Sequence, residues 1–177
     1  IKIAKEYLNS GACALSILTE KEYFKGDIEY LEKIRNEYKD AILLRKDFII
    51  DEFQLYQSKI KGADMVLLIE ALTKNKTKNL VECAKNLGLE VLLEVHNEKE
   101  MIKALNYNVN FIGVNNRNLK TLEVDLGVSR KLAKYITKDR IFVCESGIKS
   151  SLEIKEMMKL GYKAFLIGTS FMSTKNP

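Results

Sequence analysis

The feature that most constrains this chain is an alternation, sustained along its length, of short apolar runs with segments of helical period. The runs are Ala12–Thr19, Ala41–Phe48, Met65–Glu70, Glu90–His96, Phe111–Arg117, Ile141–Gly147 and Ala164–Ser170. Apolar residues stand side by side in them, as in parallel strands buried on both faces. Between them lie segments such as Ile28–Tyr38, Glu52–Ile60 and Asn79–Gly88, whose apolar residues recur at helical spacing. A weak internal repeat supports the reading: IKGADMVLLI, NLGLEVLLEV and KLGYKAFLIG each end a helix at a glycine (Gly62, Gly88, Gly161) and enter a strand a few residues later. Glycine suits that position because it adopts the left-handed backbone that closes a helix.

Strand–helix alternation predicts a parallel sheet, either open and doubly wound or closed into a barrel. Polar residues favour the barrel, since nearly every run carries one at its C-terminal end: Lys46, Glu70, Glu94, Asn115, Glu145 with Ser146, and Thr169 with Ser170. Such a ring suits the mouth of a barrel, where catalytic groups collect. The expected fold class is therefore α/β, a (β/α)8 TIM barrel with about seven of eight strands. The chain opens on a helix-like stretch and stops at SFMSTKNP, just past the last run. The expectation is a single barrel domain over residues 1–177, incomplete at both ends and short of the roughly 250 residues typical of the fold.

Composition excludes several other classes. With 177 residues, 46% of them hydrophobic and 30% charged, the chain has enough apolar residues for one core and is no disordered tail. No apolar run reaches the roughly 20 residues of a membrane span, and IKIAKEYLNS is unlike a signal peptide. A cytoplasmic protein without membrane contact is expected. Cys13, Cys83 and Cys144 are odd in number, far apart and set among apolar residues, which reads as reduced, buried thiols and not as a disulfide or zinc framework. The net charge of +5 is spread along the helices. That favours an anionic ligand such as a phosphate ester over nucleic acid, which calls for a clustered basic stripe.

Several residues are candidates for chemistry, each with a plainer reading beside it. Lys46 closes an apolar run and could serve as a general acid in a partly desolvated mouth, or be one surface lysine among many. Glu94, between Leu93 and Val95, is either buried and ion-paired or a base whose pKa burial raises. Asn115 and Arg117 offer an amide and a planar guanidinium for a carboxylate or phosphate, or simply begin a loop. Glu145–Ile148 (ESGI) and Leu166–Ser170 (LIGTS) place glycines and hydroxyls after the last two strands, where many barrels bind phosphate. The one histidine, His96, has no companions for a metal site and reads as structural. Cys144 reads as a packed thiol. No dinucleotide fingerprint or Walker loop occurs, and nothing demands a cofactor.

Taken in order, LSILTE (15–20), LRKDFI (44–49), LLEVHN (92–97), IGVNNRNL (112–119), ESGI and LIGTS closely resemble the indole-3-glycerol-phosphate synthase family over nearly the whole chain. The resemblance implies a (β/α)8 barrel that converts 1-(2-carboxyphenylamino)-1-deoxyribulose 5-phosphate to indole-3-glycerol phosphate, carbon dioxide and water, without metal or organic cofactor. Protonating the ribulose carbonyl and expelling it as water needs a general acid, and completing the aromatic indole needs a base. By resemblance Lys46 is the acid and Glu94 the base or a transition-state stabiliser. Asn115 matches the pocket asparagine, and Arg117 a residue near the anthranilate carboxylate. Ser146, Gly147, Gly168 and Thr169 match the phosphate cradle, Ser146 counting also with the catalytic set. Phe48, Leu67 and Leu119 match apolar walls around the ring.

There are departures. The family's first strand, with its glutamate, its lysine and a Ser-Pro-Ser loop, has no counterpart here; Thr169 replaces a serine; and Glu70 belongs to no family motif. Two other readings stand beside the synthase. One is a catalytically incomplete fragment that binds phosphate or associates through open strand edges. The other is a different phosphate-binding barrel isomerase or lyase. The expected partner is a small phosphorylated substrate, in a monomer or weak homodimer, with fusion to another tryptophan-pathway enzyme possible in principle.

Overall fold

Each apolar run becomes a parallel strand shorter than the run itself. The computed structural model describes residues 1–173, so residues 174–177, part of the expected 1–177 span and of the SFMSTKNP end, lie outside the described residues. In chain order the elements are α1 (Lys2–Asn9), β1 (Leu15–Leu18), α2 (Glu29–Glu37), β2 (Leu43–Lys46), α3 (Glu52–Ile60), β3 (Met65–Ile69), α4 (Glu70–Thr73), α5 (Thr77–Asn86) and β4 (Glu90–Val95). They continue with α6 (Glu98–Ala104), β5 (Phe111–Asn115), α7 (Gly127–Leu132), β6 (Ile141–Glu145), α8 (Ser151–Lys159), β7 (Ala164–Leu166) and α9 (Thr169–Met172). Seven parallel strands among the described residues, each followed by a helix, make this the (β/α) barrel fold with seven of its eight strands.

Two compact units divide the chain, Ile1–Val91 and the part from Leu92 onward. In the first, β2 pairs with β1 (Leu15↔Leu43 to Leu18↔Lys46) and with β3 (Leu44↔Met65, Arg45↔Val66). Its core is Leu31 and Ile34 of α2, Leu55 of α3, Leu80, Val81 and Ala84 of α5, Leu43 and Leu44 of β2, and residues 66–69 of β3. In the second, β5 lies between β4 (Glu94↔Gly113) and β6 (Asn115↔Glu145), and β6 also pairs with β7 (Val143↔Ala164). Met101, Ile112, Phe142, Met157 and Tyr162 are buried there.

Local chemistry explains where elements begin and end. Asp51 accepts the Phe53 N–H while Gln54 returns to the Asp51 N–H, a capping box that starts α3. Ser150 and Glu153 form the equivalent capping box at the start of α8. The expected closing glycines Gly62, Gly88 and Gly161 all have positive φ (87°, 66° and 106°). One expectation about side chains is corrected: only Cys144 is buried, whereas Cys83 is half-buried and Cys13 exposed. Cys13 precedes β1 in a turn, so its apolar neighbours signal the coming strand and not its own burial.

Candidate functional site

In the first unit the site is built around the end of β2. From Leu43 to Asp47 every residue is buried except Lys46, which is intermediate. Side chains alternate along a strand, so Arg45 and Asp47 share one face and Lys46 takes the other. On its own face Arg45 is held at all three nitrogens: Nη2 and Nε donate to Asp47 Oδ2 at 2.8 and 3.1 Å, and Nη1 donates to Gln54 O at 2.8 Å and Ser58 Oγ at 3.0 Å. Thr19 donates to the same Asp47 oxygen at 2.6 Å, and the Phe48 N–H to the other at 2.8 Å. The network ties β2 to α3 and leaves Lys46 as the group turned away from it.

Beside Lys46 lies an aromatic platform. Its ammonium is 5.7 Å from the centre of the Phe24 ring, and Phe24 and Phe48 pack with centroids 5.1 Å apart. Tyr23 meets the Phe48 edge at 5.9 Å. The loop that supplies Tyr23 and Phe24 is folded on Glu20, whose carboxylate takes the N–H groups of Glu22, Tyr23 and Phe24. Phe48 therefore sits where a ring could stack, and Phe24 is a partner the sequence reading missed; its signal was an aromatic pair in the loop after the first strand. Leu67 is fully buried in β3. Glu70 is the first residue of α4 and not a strand end; it is buried and accepts from Thr77 Oγ1 at 2.7 Å.

In the second unit two buried carboxylates flank one glycine. Glu94 and Glu145 are each 1% exposed. Gly113 is the register partner of Glu94, and a Cβ built on it would lie 1.8 Å from Glu145 Oε1. The end of Glu145 thus occupies the space a side chain at 113 would fill. Its place beside Glu94 could have been read only by aligning the glycine with the strand register.

Asn115 is buried at the end of β5 and accepts the Arg117 N–H at 2.9 Å, which turns the chain there. The strand accordingly stops at Asn115, two residues before the expected Arg117. Arg117 donates to Leu122 O at 2.9 Å, so its guanidinium closes its own loop, and Leu119 in that loop is 40% exposed. Asn116, absent from the candidates, is the hub. Its Nδ2 donates to Glu145 O at 2.9 Å and Ser146 O at 3.1 Å, and its Oδ1 accepts the Ser129 N–H at 3.0 Å. It holds the turn after β6, where Ser146 and Gly147 have φ of 62° and 86°. A serine in that backbone region is strained and needs such support.

The turn after β6 and the one after β7 are joined, since Ser170 Oγ donates to Ile148 O at 2.5 Å. Ser146 and Gly147 thereby stand near Gly168 and Thr169. Strand β7 ends at Leu166, short of the expected Ser170, and Thr169 and Ser170 instead open α9. Gly168 has open space where a Cβ would be. Cys144 touches Ser129 Oγ and Asn116 Nδ2 at 3.4 Å each, and burial pushes its thiol pKa up, which suits packing and not nucleophilic work. Among the described residues no group of three or more His, Cys, Asp or Glu is placed to hold a metal ion, and no helix is long and apolar enough to cross a membrane.

Residues 1–177 match the family model described as indole-3-glycerol phosphate synthase. The indole-3-glycerol phosphate synthase of Aliarcobacter butzleri is 47% identical over 173 residues, which are 97% of this chain and 65% of that protein. The one from Caldanaerobacter subterraneus subsp. tengcongensis is 47% identical over 172 residues, 97% of this chain and 67% of its own length. The chain thus spans about two thirds of the length of these relatives. Among solved structures, a 3-hexulose-6-phosphate synthase superposes with a TM-score of 0.80 over 99% of this chain and 86% of the other, at 15% identity. The 3-hexulose-6-phosphate synthase from Salmonella typhimurium gives 0.76 over 92% and 80%, at 16% identity. At that identity the likeness concerns the fold alone.

Proposed function

The chain belongs to the indole-3-glycerol phosphate synthase family, and from that premise we propose that its protein closes the indole ring of indole-3-glycerol phosphate from 1-(2-carboxyphenylamino)-1-deoxyribulose 5-phosphate. The ring carbon bearing the carboxylate attacks the ribulose carbonyl, carbon dioxide departs, and loss of water completes the indole. Lys46 is the general acid at the carbonyl oxygen and then at the leaving hydroxyl. Glu94 is the base that removes the proton lost in dehydration, with Glu145 as a second carboxylate beside it. Asn115 hydrogen-bonds the substrate's oxygens, and Arg117 meets the anthranilate carboxylate. Ser146, Gly147, Gly168 and Thr169 form the phosphate cradle, while Phe48, Leu67 and Leu119 supply apolar wall, Phe48 with Phe24 as the aromatic part. Residues 1–177 form one barrel domain of a cytoplasmic enzyme, a monomer or weak homodimer.

The observation that carries this reading is the accessibility of Lys46 within an otherwise buried strand end, set on aromatic rings and aimed away from the Arg45–Asp47 network. The test is Lys46→Met in the full-length protein, followed by the fluorescence of the newly formed indole. Loss of a general acid should lower kcat by about 10²- to 10⁴-fold with KM changed only a few-fold. Turnover within threefold of the unaltered enzyme would remove Lys46 from the acid role.

A further inference from the structure

Among the largely buried titratable side chains that the catalytic assignment leaves unused is the single histidine. His96 follows β4 by one residue, and its side chain is 12% exposed. Its Nε2 lies 3.0 Å from Glu94 Oε1 and its Nδ1 lies 3.2 Å from Glu100 Oε2. Glu100 is itself fixed. The same Oε2 accepts the His96 backbone N–H at 2.8 Å, Oε1 accepts from Asn97 Nδ2 at 2.5 Å, and the Glu100 N–H donates to Asn97 Oδ1 at 3.1 Å as the cap of α6.

This arrangement favours the charged ring, because a carboxylate lies against each of its nitrogens. An ionised carboxylate only accepts, and a neutral imidazole has one N–H, so only the imidazolium turns an N–H and a positive charge toward both carboxylates. The energetics agree. Burial works against a charged ring, but the contacts with Glu100 and Glu94 outweigh it and raise the pKa from 6.5 to about 9. The charged groups at the ring are Glu94 from β4 and Glu100 from α6. On β5 the residue opposite Glu94 is Gly113, beneath the Glu145 carboxylate.

We propose that His96 is a positioning residue: an imidazolium strut that ties Glu94 to the first turn of α6 through Glu100 and holds the Glu94 carboxylate in one orientation. The proposal rests on the reading of Glu94 as the base. A base must meet its proton at hydrogen-bond distance and correct angle, so orientation enters kcat and not ground-state binding. The strut resembles in logic the carboxylate–imidazole pairs that orient reacting groups in hydrolases, but here the oriented group is a carboxylate.

The experiment is a double-mutant cycle in the full-length enzyme with His96→Gln and Glu94→Gln. His96→Gln should lower kcat by about ten- to a hundredfold, the scale of a lost charge-assisted hydrogen bond, with KM within about threefold. Added to Glu94→Gln, it should change the residual turnover by less than about twofold, because the group it orients is already gone. An equal loss in both backgrounds, or no loss in either, overturns the strut. Undiminished turnover of Glu94→Gln instead overturns the base assignment itself, so the two failures are distinct. If His96→Gln does not fold, nitrogen-15 NMR of the unaltered enzyme at neutral pH decides. Two N–H signals from the His96 ring support the strut, and a ring carrying a single proton refutes it.

Discussion

Replacing Arg45 by Met tests whether the end of β2 is held by the buried ion pair. The guanidinium and the Asp47 carboxylate are 2.8 Å apart, with side chains 4% and 9% exposed. Removing the cation leaves Asp47 with the Thr19 hydroxyl at 2.6 Å and the Phe48 N–H at 2.8 Å, but with no counter-charge. Ser58 loses its donor, although its own hydroxyl still reaches Gln54 O at 2.6 Å. The dominant cost is thus one uncompensated buried charge, about 3–5 kcal/mol, out of the roughly 5–15 kcal/mol that a domain commands. Urea unfolding of the full-length protein, followed by circular dichroism, should show a midpoint lower by roughly 1.5–2.5 M at a slope of about 2 kcal/mol per molar. The partner variant separates charge from shape: Arg45→Met with Asp47→Leu should recover most of the loss, because a buried pair contributes little over well-packed apolar residues. A single variant within about 1 kcal/mol of the parent, or a double variant no better than the single, would refute the argument.

Two further outcomes follow from the second unit. Gly113→Ala places a Cβ 1.8 Å from Glu145 Oε1 and 3.3 Å from Leu92 Cδ1, so the carboxylate must retreat by more than an ångström. A loss of about 1–3 kcal/mol in stability and about a hundredfold in kcat is expected, and an alanine enzyme equal to the parent in both would show that Glu145 is not needed over that glycine. Because the pKa of folded His96 is raised from 6.5 to about 9, its ion pairs contribute stability that is complete below pH 6.5 and is lost as pH rises through about 9. That rise corresponds to about 3 kcal/mol. Glu100, held below its usual 4.5 by His96, bounds the window on the acid side, its contribution being lost as pH falls through its lowered value. The gap in unfolding free energy between the parent and His96→Gln should therefore be widest near pH 5–6.5 and should close by about pH 10; a gap that widens toward pH 10 contradicts the pairing.

Fold and site were legible to different depths, and the difference has a physical source. Strands such as β3 to β6 are buried on both faces and write themselves as contiguous apolar runs, and β1 and β7, with one face or both less covered, carry enough of the same pattern that all seven were visible before any coordinate. Their C-terminal ends were overrun because a strand stops when its backbone turns, not when its residues cease to be apolar or small. Asn115 turns the chain by accepting the Arg117 N–H, and Ser146 turns it with φ of 62°; neither event changes composition. Lys46, Glu94 and Asn115 stood out because a charge or amide among aliphatic neighbours is costly unless it has a use. Arg45, Asp47 and Asn116 did not, although they are buried too. Their partners lie 9 to 30 residues away or across a turn, and only the register shows that Arg45 faces α3 while Lys46 does not. A sequence thus announces a lone polar group in an apolar run more readily than the buried network that holds its neighbours. The residues most worth mutating next are accordingly the buried polar ones whose side chains end on another residue of the site: Asn116 on the Ser146 turn, His96 on Glu94, and Arg45 behind Lys46.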